Sequence, residues 1–179
     1  MGDRPPSSLA RARTAVTRQQ PLEQLFDTHP EVSLDFEIVR QAARQKYSRP
    51  FLILDTAIVR GKARRFRAAM PRVRPHYAVK ANPDRRVLKV LMQEGCGFEI
   101  ASIAELDLLL GLGVPAAEVF YSNPVKARES IAYAAARGVE WFVVDSLDEL
   151  HRVHEVAPQA KLYLRVGTPN IGSDWPPGC

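Results

Sequence analysis

The chain has 179 residues, 46% of them hydrophobic, with 10 glycines and 2 cysteines. That allows one sizeable core and excludes fibrous, low-complexity and disulfide-framed classes. The net charge of +5, from 25 Lys and Arg against 20 Asp and Glu, invites a nucleic-acid partner without selecting one, since acidic small molecules suit a basic chain equally.

In chain order, residues 1–32 read as a flexible leader. They lack the apolar segment of a secretory signal, and Pro6 breaks the myristoylation pattern after Gly2. No apolar run in the chain is long enough for a membrane span. With Cys96 and Cys179 expected as free thiols, a cytoplasmic location follows as the expectation.

Residues 33–70 read as an N-terminal helix, a strand and a connecting helix. The stretch SLDFEIVRQAARQKY is a helix capped by Ser33, and PFLILD at 50–55 is an apolar strand. Beyond it Val59, Ala63, Phe66 and Met70 recur at spacings of four, three and four, an apolar helix stripe. Between Asp55 and Asp84 there is no acid, while Arg60, Lys62, Arg64, Arg65, Arg67, Arg72, Arg74 and Lys80 all occur. These charges are expected on the solvated side of that helix, so no nucleic-acid partner is expected.

Residues 71–179 carry the strongest architectural signal. Short apolar runs begin at His76, Gly97, Glu118, Glu140 and Lys161, at intervals of 21, 21, 22 and 21 residues. The first four each lead into a helical pattern, so strand and helix alternate. Asn82–Pro83 and Asn123–Pro124 read as N-caps followed by a first-turn proline. Ser102 with Glu105 and Ser146 with Glu149 read as capping boxes, and Gly113 and Gly138 as helix stops. Such units imply parallel strands with helical crossovers, either an open layered sheet or part of a closed barrel of eight units.

Side-chain alternation then places the charges. In HYAVK, Tyr77 and Val79 face the helices while His76, Ala78 and Lys80 face inward, Lys80 at the carboxyl end of its strand. The same pattern turns Glu99 inward in GFEIAS, and Tyr163 and Arg165 inward in KLYLRV, with Leu162, Leu164 and Val166 on the helix side. Two outcomes are open. The inward ions pair with one another, or a desolvated Lys80 amine serves as a nucleophile toward an aldehyde cofactor.

The stretches PHYAVKAN, GCGFEIASIAELDLLLGLGVP, VFYSNPVKA and GSDWP together resemble the barrel half of the fold-type III pyridoxal-phosphate decarboxylases, the ornithine, lysine, arginine and diaminopimelate decarboxylase family, and most of all its bacterial ornithine/lysine branch. The resemblance runs from about Pro50 to the end. It implies an α/β fold, a partial (β/α)8 TIM barrel of alanine-racemase type with about five βα units plus the leading strand, residues 71–179 being an incomplete barrel. It implies that Lys80 carries pyridoxal 5'-phosphate, that Glu99 stands where many members have Asp, and that Arg165 lies near the cofactor ring. A small amino-acid substrate, ornithine or lysine, would lose its carboxylate in polyamine synthesis, in a homodimer with shared active sites. Members of the family continue with further strands, a glycine-rich phosphate loop and a β-domain. Neither Gly-Gly-Gly nor Glu-Pro-Gly occurs here, so a truncated enzyme is expected, or a non-catalytic shortened homologue that binds or regulates a full-length relative.

Overall fold

Parallel strands cannot be joined by tight turns, and each apolar run here is accordingly separated from the next by a helix. The computed structural model describes residues 36–45, 50 and 52–167. In order these form α1 (Phe36–Arg44), α2 (Thr56–Ala69), β1 (His76–Ala78), α3 (Arg85–Gln93), β2 (Gly97–Ile100), α4 (Ile103–Leu110), β3 (Val119–Tyr121), α5 (Arg128–Ala136), β4 (Trp141–Val144), α6 (Leu147–Val156) and β5 (Lys161–Leu164). Short 3-10 turns lie at Val79–Ala81 and Ala116–Glu118. The sheet order is β1-β2-β3-β4-β5, all pairs parallel. His76 stands opposite Gly97, Glu99 opposite Phe120, Tyr121 opposite Phe142 and Val143 opposite Tyr163. The five periodic strand starts expected from His76 onward each lie within one residue of the observed ones.

The two faces of the sheet differ as alternation requires. Val79, Phe98, Ile100, Val119, Tyr121, Phe142 and Val144 are buried under Leu88, Leu106, Leu109, Ile131 and Val153 of the helices. On the other face Phe120 stacks on Trp141 with centroids 5.2 Å apart, and the His76 ring meets Phe120 edge-on at 4.5 Å. Leu162 and Leu164 of β5, and Val166 beyond it, remain exposed, because no further helix among the described residues covers them. Cys96 is free and buried, and burial pushes its thiol pKa up.

The helix stops repeat one device. Gly95, Gly113 and Gly138 have φ of 75°, 86° and 93°, a region that costs glycine little. In each case the next residue donates its N–H five residues back: Cys96 to Leu91, Val114 to Leu109 and Val139 to Ala134. These are Schellman caps, and the donor's side chain is buried each time.

The helix starts depart from expectation. Asp84, not Asn82, caps α3, its carboxylate accepting from the Arg86 N–H. The Arg86 guanidinium holds the Asp84 pKa down at about 2. Asn82 instead forms an Asx turn, accepting from the Asp84 N–H at 3.0 Å, and Asn123 does the same with Val125 at 3.2 Å, while α5 starts from Ala127 without a side-chain cap. A side-chain amide two residues ahead of a free N–H satisfies it without a helix. Ser102 and Ser146 do cap α4 and α6, accepting from Glu105 and Glu149 N–H groups at 3.3 Å. The return bond from Glu105 goes to the Ala101 N–H, one residue early, and Glu149 turns away to an ion pair.

Three further outcomes concern the N-terminal part, two of them departures. Helix α1 forms, but Ser33 lies outside the described residues. Residues 52–55 form no strand, and Leu52 is 99% exposed, with no strand paired to them among the described residues. The arginines of α2 are not simply a solvated face. Arg60 and Arg64 donate to the Glu94 carboxylate at 2.6 and 2.9 Å, and Arg67 donates to the Glu94 carbonyl at 2.7 Å. This clamp fastens α2 to the end of α3, while Phe66 and Met70 of the apolar stripe stay exposed.

Two predictions follow from this packing. A Cβ on Gly97 would come within 2.5 Å of the His76 ring, so Gly97→Ala is expected to cost about 1–3 kcal/mol in urea unfolding, and His76→Ala in the same chain to restore most of it. The arginines, Arg64 foremost, hold the Glu94 pKa below its ordinary 4.5. The clamp's contribution is therefore full above that ordinary value and is lost as pH falls through the lowered one. Unfolding midpoints measured between neutral and acid pH should show this loss, and Glu94→Gln should flatten it.

Candidate active site

The carboxyl ends of the strands build one pocket. After β1 the chain tightens into the turn Val79–Ala81, which lifts Lys80 out of the ladder. The Tyr77 hydroxyl braces this turn by donating to the Asn82 carbonyl at 3.4 Å. After β2, the Glu105 carboxylate holds the Ala101 N–H at 2.7 Å. After β3, the Asn123 side-chain amide donates to the Ala101 carbonyl at 3.2 Å, tying two neighbouring loops together. After β5, the Arg165 N–H continues the ladder to the Val144 carbonyl at 2.8 Å.

Lys80, Glu99 and Arg165 all line this pocket, whose volume is about 290 Å³, together with Ala78, Ser122, Asn123 and Pro124. Three strands therefore bring the three expected charges to one cavity. Two details differ from expectation. Lys80 is exposed rather than desolvated, since it sits on the turn beyond its strand. Among the described residues Glu99 makes no ion pair with Lys80 or Arg165. Its carboxylate accepts from the Ser122 hydroxyl at 2.7 Å instead. Ser122 was legible by the same alternation, because it follows inward Phe120 by two.

Below the mouth lies a buried cation that the sequence did not single out. The Lys126 ammonium, fully buried, donates to the carbonyls of Asn123 at 2.9 Å and Val143 at 2.7 Å, and pairs with Glu149 at 2.7 Å. Burial lowers the Lys126 pKa, and the Glu149 carboxylate opposes that shift. Arg152 also bonds Glu149. Two of its hydrogen bonds go to carbonyls and its charge faces the Glu149 carboxylate, so Lys126 is a staple that fixes the pocket-lining loop 122–127 to β4 and α6.

A primary amine, a carboxylate and a guanidinium around one cavity suit an aldehyde-bearing, phosphorylated pyridine: the amine can meet the aldehyde carbon, and the cation the anionic substituents. A family model described as "Pyridoxal-dependent decarboxylase, pyridoxal binding domain" matches residues 56–173. The chain belongs to the pyridoxal-dependent decarboxylases. Ornithine decarboxylase of Schizosaccharomyces pombe is 41% identical over 139 residues, covering 76% of this chain and 32% of that protein. Antizyme inhibitor 2 of Xenopus laevis is 37% identical over 132 residues, 74% of this chain and 29% of that protein. The structure of lysine/ornithine decarboxylase from Vibrio vulnificus, complexed with putrescine, aligns with a TM-score of 0.68 at 33% identity, covering 75% of this chain and 38% of that one. The five parallel strands, with the four helices between them, are thus part of a (β/α)8 barrel, and this decarboxylase-family chain spans about a third of the length of such relatives. Its GSDWP stretch lies outside the described residues. Among the described residues no helix is long and apolar enough to cross a membrane.

Removing the staple should be costly. Lys126→Met leaves the buried Glu149 with Arg152 as its charge partner and two carbonyls without donors, an expected loss of about 3 kcal/mol in urea unfolding. Lys126→Met combined with Glu149→Leu should recover much of that loss.

Proposed function

We propose that this chain is the lysine-bearing part of a pyridoxal-phosphate-dependent decarboxylase of a basic amino acid, ornithine to putrescine or lysine to cadaverine, in polyamine formation. The observation that carries the reading is the convergence of Lys80, Glu99 and Arg165 on one pocket inside the matched domain. In this reading Lys80 is the covalent anchor of the cofactor, and Glu99 and Arg165 contact it. The bound cofactor supplies an electron sink for the bond that breaks. Substrate carboxylate leaves as carbon dioxide and one proton takes its place; the Lys80 amine, exposed at the mouth, can deliver that proton. Residues beyond this chain and a partner subunit would complete the site, in the cytoplasm. The domain division goes with this proposal: residues 71–179 as the incomplete cofactor barrel and 33–70 as its N-terminal attachment, with the expected leader at 1–32 outside the described residues.

A second reading rests on the likeness to an antizyme inhibitor: a non-catalytic homologue that binds or regulates a full-length decarboxylase. One set of experiments separates the two. The purified chain is incubated with pyridoxal phosphate, reduced with borohydride and digested. Label is expected on the Lys80 peptide and absent in Lys80→Ala; a wild-type chain without label there defeats the cofactor assignment. Carbon dioxide release from ornithine, lysine and arginine is then followed, with the remaining family segments supplied in trans. Activity that Lys80→Ala lowers by at least about 10²-fold supports the enzyme. Altered output of an added full-length decarboxylase, with none from the chain, supports the regulator.

A further inference from the structure

We infer that Tyr163, acting through Ser122, is a positioning residue for the Glu99 carboxylate, the three forming a hydrogen-bonded relay across β5, β3 and β2. The inference rests on the reading of the pocket given above, and it concerns groups that the family match does not assign.

The relay is built by strand alternation. Glu99 lies inward on β2, Ser122 directly beyond β3 and Tyr163 inward on β5. Ser122 Oγ lies 2.7 Å from Glu99 Oε2 and 2.7 Å from the Tyr163 hydroxyl. Direction follows from the proton count. A serine hydroxyl has one proton and two lone pairs. The carboxylate oxygen can only accept, so Ser122 donates to Glu99 and must accept from Tyr163. Tyr163 keeps its proton for this bond, since burial pushes the phenol pKa up. Its ring is set edge-on to Phe120 at 5.5 Å, which fixes where the hydroxyl ends.

The consequence is an ordered carboxylate. Glutamate has one more rotatable bond than aspartate, and a free Glu99 would sample several rotamers at the pocket wall. Two donors in series hold Oε2 on the β3 side, and they polarise one another. Oε1, which has no hydrogen bond among the described residues, is left to meet a group in the pocket. Tyr163 does not line the cavity itself, so its effect on a ligand passes through Ser122 and Glu99.

The test uses the full 179-residue chain and two readouts. With glutamate labelled by ¹³C at Cδ, the Glu99 resonance is identified by its loss in Glu99→Gln. Tyr163→Phe keeps the ring and removes only the last donor; it is expected to move the Glu99 resonance, as is Ser122→Ala, and the double variant to match Ser122→Ala alone. An unmoved Glu99 resonance in Tyr163→Phe, or additive shifts in the double variant, overturns the relay. In parallel, Tyr163→Phe is expected to weaken pyridoxal phosphate binding by about 3- to 10-fold, an effect that vanishes in a Glu99→Gln background. A Tyr163 effect that persists without Glu99 also overturns it. A wild-type chain that takes up no pyridoxal phosphate defeats the reading of the pocket, while the Glu99 resonance still decides the relay.

Discussion

Every strand pair in this sheet is parallel, and the rest of the structure is arranged to make that possible. A parallel pair needs a crossover longer than a turn, so each unit must contain a helix, and each helix must bury an apolar side against the strands. Period-two alternation then divides the strand residues without exception. Phe98, Ile100, Phe142 and Val144 go under the helices, and Glu99, Phe120, Trp141 and Tyr163 are left to the other side. Because all strands point the same way, their carboxyl ends gather at one rim. Charges placed near the strand ends or just past them, as Glu99, Lys80 and Arg165 are, meet there whatever their distance in sequence.

This is why so much of the fold is legible in the chain itself. The regular return of runs at His76, Gly97, Glu118, Glu140 and Lys161 reports a local property, strand length plus helix length, and local properties survive in sequence. Alternation likewise carried Lys80, Glu99 and Arg165 to a common pocket. What was not legible is what depends on a partner far along the chain. The arginines of α2 look solvent-directed until Glu94, some thirty positions on, is seen between them. Glu149 has the spacing of a capping box, yet the buried Lys126 claims its carboxylate. Asn82 and Asn123 carry a cap signature that serves an Asx turn equally well, and only the start of the helix distinguishes the two.

The site shows the same division. Ser122 and Tyr163 were each placed by alternation or could have been, but that they touch each other, and that Glu99 prefers a hydroxyl to either cation, requires the register of four strands at once. The exposure of Lys80 arises from a single turn at Val79–Ala81, a detail that propensity cannot distinguish from one more residue of strand. Polar groups at this rim are held chiefly by hydrogen bonds from one loop to a neighbouring loop or strand, Asn123 to Ala101 and Lys126 to Val143. The wall of the pocket is consequently made by neighbours in space that are more than a dozen residues apart in sequence.

The three Schellman stops at Gly95, Gly113 and Gly138 bear on how such a chain can vary over evolution. Each one locks the number of residues between a helix's last turn and the next strand's first buried side chain, so an insertion there would rotate the strand and exchange its two faces. The opposite connections, from strand to helix, have no glycine stop and are held by exchangeable side chains instead, Glu105 on the two-residue bend Ala101–Ser102 and Lys126 on 122–127. Length changes are therefore channelled to the rim that holds the pocket. The fold can revise its chemistry there while the phase of its core stays fixed.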